Sequence, residues 1–135
     1  MLKRLSLIVF IMGCIAPYTM WASSINIEEK THFLQEQINR STHTDSILKY
    51  ELELTYFTLV TGKIKEAGRL IQKIEQNYPK PDIYPKEQLA LYHKTKGLYH
   101  LEQGDYNSAI DDYYKALNLY THLYSDGSKK EIILL

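Results

Sequence analysis

Gly62-Lys63-Ile64-Lys65-Glu66-Ala67-Gly68 and Gly104-Asp105-Tyr106-Asn107-Ser108-Ala109-Ile110 are two versions of one phrase. Each opens on a glycine, carries an apolar residue two positions later and an alanine five positions later. The two glycines are 42 residues apart, and so are the two alanines. Glycine enters left-handed backbone without steric cost and can turn a chain sharply between two helices. An alanine one turn further on lets those helices approach closely, because interaxial distance follows the size of the side chains at the contact. A recurring helix–turn–helix unit is the expected fold.

Outward from these turns, apolar residues recur at helical spacing and strand-like alternation is hard to find. Asn26-Ile27-Glu28-Glu29 is a helix-start signal, and Ile27, Thr31, Leu34 and Ile38 share one face up to the polar stretch 40–44. A second helix is expected from about Asp45 to Thr61. It carries one apolar stripe through Ile47, Tyr50, Leu54 and Phe57 and another through Leu48, Leu52, Tyr56 and Leu59, so it should be covered on more than one side. Ile64, Ala67, Ile71 and Ile74 carry a third helix to about Asn77. Tyr78–Pro85 holds three prolines in seven residues and reads as a linker, with Pro85 opening the next helix. Helices follow over about 85–103 and 105–124. After Ser125-Asp126-Gly127, the capping-box spacing of Ser128-Lys129-Lys130-Glu131 predicts a short helix through Leu135. The expected class is all-α: about five helices and a short sixth, paired antiparallel.

Residues 90–124 resemble a tetratricopeptide repeat, a helix–turn–helix unit of about 34 residues. Gly97, the Gly104-Asp105-Tyr106 turn, Ala109, Tyr113, Ala116 and Leu117 stand at that family's small, turn and aromatic positions. A weaker copy in 48–77 matches at Leu54, Gly62, Ile64, Ala67, Ile71 and Ile74, with Thr55 in place of the glycine. His93, Lys96 and His100 depart from the pattern, since the family has apolar or aromatic residues there. The repeat-like units span about 45–78 and 85–124 of a domain covering 25–135. The resemblance implies a curved array whose first helices line a concave groove. The groove residues would be Lys49, Leu52, Tyr56 and Leu59 in the first unit and Leu91, Lys94, Leu98 and Leu101 in the second. Apolar side chains with two lysines suit an extended or helical peptide, the lysines meeting a carboxylate. Two other fillings compete: a terminal segment of the chain as core, and self-association through the same surface.

The N-terminus reads as an export signal. Met1-Leu2-Lys3-Arg4 is a basic head, Leu5–Met12 is an apolar run interrupted by Ser6 alone, and no acid occurs before Glu28. Cleavage after Ser24 or Ala22 is one outcome. Ile11-Met12-Gly13-Cys14 also resembles a bacterial lipobox, which would remove residues up to Gly13 and lipidate Cys14. An uncleaved anchor is the third, opposed by Pro17 and a marginal length. The expected location is therefore the periplasm, free or membrane-anchored.

The 135 residues hold 16 basic and 16 acidic side chains, which removes the case for nucleic acid as partner. Loss of residues 1–24 leaves 14 basic and 16 acidic residues, a charge of −2. Cys14 is the only cysteine, so neither an internal disulfide nor a cysteine-based zinc site can form.

Tyr92, Tyr99, Tyr106, Tyr113 and Tyr120 recur every seven residues but span two helices, and read as packing residues with hydroxyls at the rim. His93 and His100 share one helix face, with His32, His43 and His122 elsewhere in the chain. Without HExxH spacing they read as packed or groove-side histidines, and no metal site is expected. Asp111-Asp112 and Glu28-Glu29 read as solvated faces. With no GxSxG, phosphate-cradling loop or paired cysteines, the chain is expected to be neither an enzyme nor a cofactor carrier. The expected role is an adaptor or assembly factor of a bacterial envelope, serving pilus, secretion or outer-membrane machinery through a protein or peptide partner. A rival expectation, favoured by the abrupt end at Glu131–Leu135 and opposed by the lack of a second membrane-span pattern in the sequence, is a truncated extracytoplasmic sensor region of a membrane signalling protein.

Overall fold

The computed structural model describes residues 26–125. The export signal, Cys14 and the short helix expected over 128–135 lie outside the described residues. Two compact units divide the chain, one ending at Phe33 and one beginning at Leu34. In the first, residues 26–33 are helical, and Thr31 Oγ1 donates to the carbonyl of Ile27 at 2.8 Å.

The second unit opens on a helical segment over 34–40 (α1), then α2 (Thr44–Val60), α3 (Ile64–Asn77), α4 (Lys86–Glu102) and α5 (Tyr106–Tyr124). There is no strand among the described residues. The architecture is all-α, built of helical hairpins. α2 pairs with α3, α4 pairs with α5, and α4 also packs against α2 and α3.

The repeated phrase folds into repeated geometry. Gly62 has φ +82° and Gly104 φ +77°, both left-handed. In the first turn the Gly62 and Lys63 amides donate to Leu59 and Thr58 at 2.9 and 3.1 Å. In the second, 42 residues on, Gly104 and Asp105 donate to Leu101 and His100 at 3.0 and 2.9 Å. These bonds satisfy carbonyls that a helix end otherwise leaves open. Ala67 and Ala109 are both buried, as the turn-to-alanine spacing required. α5 is also capped: Asp105 accepts from the Ser108 amide at 3.2 Å. Hydrogen bonding from the Ser108 side chain and then from its amide, reinforced by the His100 charge, holds the Asp105 carboxyl below its usual range.

The departure at Thr55 has a packing reason. At its counterpart Gly97, an added Cβ would lie 2.9 Å from Cδ1 of Tyr113, so the ring of α5 rests directly on the backbone of α4. In the first hairpin the equivalent positions hold Thr55 and Ile71, both buried. A branched aliphatic side chain thus stands where the second hairpin has a ring, and a threonine where it has a bare Cα. A related contact joins the hairpins, where the Tyr99 hydroxyl would lie 2.8 Å from a Cβ at Gly68.

The core runs through Leu48, Leu52, Ile74, Tyr84 and Tyr92, flanked by Tyr78, Leu89 and Leu91. The proline-rich stretch is thus more than a linker. It forms a 3-10 turn over Pro81–Ile83 and delivers Tyr84 into the core. There Tyr84 meets Tyr92 edge-on at 5.7 Å and Tyr78 edge-on at 6.4 Å, and its hydroxyl donates to the Tyr78 carbonyl at 2.6 Å. Buried Thr55, Thr58 and Thr95 each donate at 2.7 Å to the carbonyl one turn back, so their hydroxyls are satisfied within their own helix.

Candidate functional site

The expected groove residues separate into three groups. Leu52 and Leu59 are 1% and 3% exposed; they are core, not groove lining, because α2 is covered on more than one side. Leu98 is half-buried on α4, and Leu101, 42% exposed, lies at that helix's last turn. Lys49, Tyr56, Leu91 and Lys94 remain, and they do come together on the face shared by α2 and α4.

On that face is a cleft of about 220 Å3 with walls from three helices. α2 supplies Lys49 and Glu53, α4 supplies Glu87, Gln88 and Leu91, and α5 supplies Tyr120 and Tyr124. Helical spacing brings Lys49, Glu53 and Tyr56 onto one side of α2. The antiparallel run of α5 brings its C-terminal turn beside the start of α4. Tyr120 and Tyr124 stack with ring centroids 5.9 Å apart and planes 12° apart. Burial, reinforced by Tyr124, Tyr56 and Glu87, pushes the Tyr120 hydroxyl up to about 12. Next to the cleft, Lys94 Nζ lies 4.5 Å from the centre of the Tyr56 ring, a cation–π contact between α4 and α2. Lys49 Nζ is drawn to the Tyr50 ring at 5.8 Å. Both lysines have thus found aromatic faces, while Glu53 and Glu87 have no ion-pair partner among the described residues. The Oε1 atom of Gln88 is buried without a hydrogen-bond donor among the described residues.

Sequence reasoning missed Glu53, Glu87, Gln88, Tyr120 and Tyr124. The signal was present for Glu53, one turn beyond Lys49 on the same face. For the tyrosines it was hidden, because only the first helix of each unit was expected to line the groove.

A second polar site lies between α4 and α5, in a trough of about 560 Å3 lined in part by Tyr92, His93, Lys96, His100 and Asp112. Asp112 corrects the sequence reading: it is 8% exposed rather than solvated. Its carboxylate meets His93 Nδ1 at 2.8 Å and His100 Nε2 at 3.5 Å. Asp111 does face solvent, paired with Lys115 at 2.6 Å. Lys96 and the Tyr92 hydroxyl both reach Glu75 Oε1 on α3, at 2.9 and 2.8 Å. Burial opposes ionisation of Glu75, but these two hydrogen bonds and the Lys96 charge outweigh it and hold the carboxyl below its ordinary value. The three departures at His93, Lys96 and His100 are therefore a polar seam: one charge network ties α4 to α5, another ties it to α3. Ser108 also lines the trough, yet no hydrogen bond joins its hydroxyl to either imidazole among the described residues. No group of three His, Cys, Asp or Glu side chains among those residues is arranged to hold a metal ion.

The seven-residue tyrosine series dissolves into separate tasks. Tyr92 is core, Tyr99 and Tyr113 rest on glycines, Tyr106 is exposed, and Tyr120 belongs to the cleft. No helix of the described residues is long and apolar enough to cross a membrane.

Fold and cleft together define a small all-α protein of helical hairpins with a narrow cleft between them. No family model, curated protein or solved structure matches the chain.

Proposed function

We propose that the chain is an exported, tetratricopeptide-like adaptor or assembly factor of a bacterial envelope, which holds a segment of a partner protein in the α2–α4–α5 cleft. The observation that carries this reading is the cleft itself, where apolar Leu91 and two stacked tyrosines stand among charged side chains that have no carboxylate–lysine partner among the described residues. An apolar floor with a few convergent polar groups suits a peptide side chain. The 42-residue repeat and its matched turns support the family resemblance. The basic head and apolar run of residues 1–12 support export.

The test is capture of envelope proteins by the full chain after cross-linking in cells, repeated with Leu91→Gln, Tyr124→Ser and, as a control on exposed α3 surface, Gln72→Glu. A partner lost with the two cleft variants and kept with the control supports the reading. Equal recovery by all four proteins, with unchanged helical content, removes it.

A further inference from the structure

We infer that the cleft is a seat for a positively charged side chain, and that the partner segment is anchored there by an arginine or lysine. This rests on the reading of the cleft as a peptide site and reverses the polarity expected from the sequence, where lysines were to meet a carboxylate.

The chemistry of the walls points one way. Glu53 on α2 and Glu87 on α4 are carboxylates without a cationic partner among the described residues, and both line the cleft. Gln88, on the same wall, has its Oε1 atom buried without a hydrogen-bond donor among the described residues. Tyr120 and Tyr124 offer aromatic faces, whose negative quadrupole attracts a cation. The two carboxylates and the aromatic faces are satisfied by an N–H-bearing cation and not by an anion. Of the positive charges nearby, Lys94 is held over the Tyr56 ring at 4.5 Å, and Lys49, on the cleft wall, has its Nζ 5.8 Å from the Tyr50 ring and no ion pair among the described residues. Size agrees. At about 220 Å3 the cleft falls below the ~300–1,000 Å3 of ordinary small-molecule pockets and suits one side chain with its aliphatic stem along Leu91. A guanidinium has the better fit, since its plane can stack on a tyrosine ring while its N–H groups donate to a carboxylate.

The experiment is an NMR titration of the full chain with N-acetyl-arginine methylamide, and separately with the uncharged N-acetyl-norleucine methylamide. The Tyr120 and Tyr124 ring signals are assigned through their Phe variants. The arginine probe is expected to shift both rings saturably, more weakly as salt rises, while the norleucine probe leaves them in place. Glu53→Gln combined with Glu87→Gln should weaken the arginine probe by about tenfold. Equal response to both probes, or undiminished binding by the double variant, overturns the inference. Binding seen only in a Lys129→Gln/Lys130→Gln chain would keep the seat for a cation and overturn the partner segment as its occupant. The cross-linking test is independent of charge, so partner capture that survives Glu53→Gln/Glu87→Gln would leave the peptide site standing without its cationic anchor.

Discussion

Exchanging the Gly97–Tyr113 contact for its first-hairpin counterpart tests whether the two hairpins are alternative solutions of one packing problem. A Cβ at 97 would sit 2.9, 3.0 and 3.1 Å from Cδ1, Cε1 and Cγ of Tyr113. Carbon atoms rest comfortably at about 3.5–4.0 Å, so the ring must withdraw by roughly 0.5–1 Å. Forced overpacking of this kind costs about 1–3 kcal/mol, relieved by a few tenths because threonine disfavours helix slightly less than glycine does. Gly97→Thr alone should therefore destabilise by about 1–2.5 kcal/mol. Tyr113→Ile alone removes a ring that is 37% exposed and leaves a gap over Gly97, costing about 1–2 kcal/mol. The double variant recreates the Thr55–Ile71 pairing and should cost less than the sum of the singles by about 1–2 kcal/mol. Urea denaturation followed by far-ultraviolet circular dichroism measures all three. Additivity to within about 0.5 kcal/mol would refute the equivalence and, with it, the packing account of the missing glycine at 55.

Three further outcomes are expected. Ala67→Leu and Ala109→Leu should each lose about 1–3 kcal/mol in the same denaturation assay, whereas Gln72→Leu on exposed surface should stay within about 0.5 kcal/mol; a tolerated leucine at either alanine would contradict close helix approach there. Leu52→Glu should cost more than about 4 kcal/mol by placing a carboxylate in the core, while Leu101→Glu should be nearly silent in stability, separating core from surface within the residues first assigned to one groove. Glu75 has a depressed folded value, so its contribution is complete above its unfolded value of 4.5 and disappears as pH falls through the folded one. The urea midpoint should accordingly decline below about pH 4.5 by an amount worth under ~1 kcal/mol, given the partial exposure, and Tyr92→Phe with Lys96→Met should flatten that decline.

The helices and turns were legible because their causes are local. Glycine at 62 and 104, alanine five residues later and apolar spacing near 3.6 act within one or two turns of chain. The structure places α2 to α5 within about two residues of the expected bounds, the ordinary uncertainty of helix ends. The proline stretch misled for the opposite reason. Its prolines forbid a helix, which is local, but the burial of Tyr84 depends on Leu48, Ile74 and Tyr92 arriving from other helices. Asp112 likewise looks solvated in sequence and is buried because His93 and His100 of α4 lie across from it.

Sequence alone determined an all-α chain, its helix boundaries, the 42-residue repeat and the positions of the tight turns, since each follows from backbone preferences and periodicity over a few residues. Only the tertiary structure decided which apolar face was core. It put Leu52 and Leu59 inside, brought Tyr120 and Tyr124 to the wall of a cleft begun by Lys49, and left Glu53 and Glu87 as carboxylates without cationic partners among the described residues. Those outcomes depend on which side chains meet across helices more than thirty residues apart, and no local pattern encodes such a meeting.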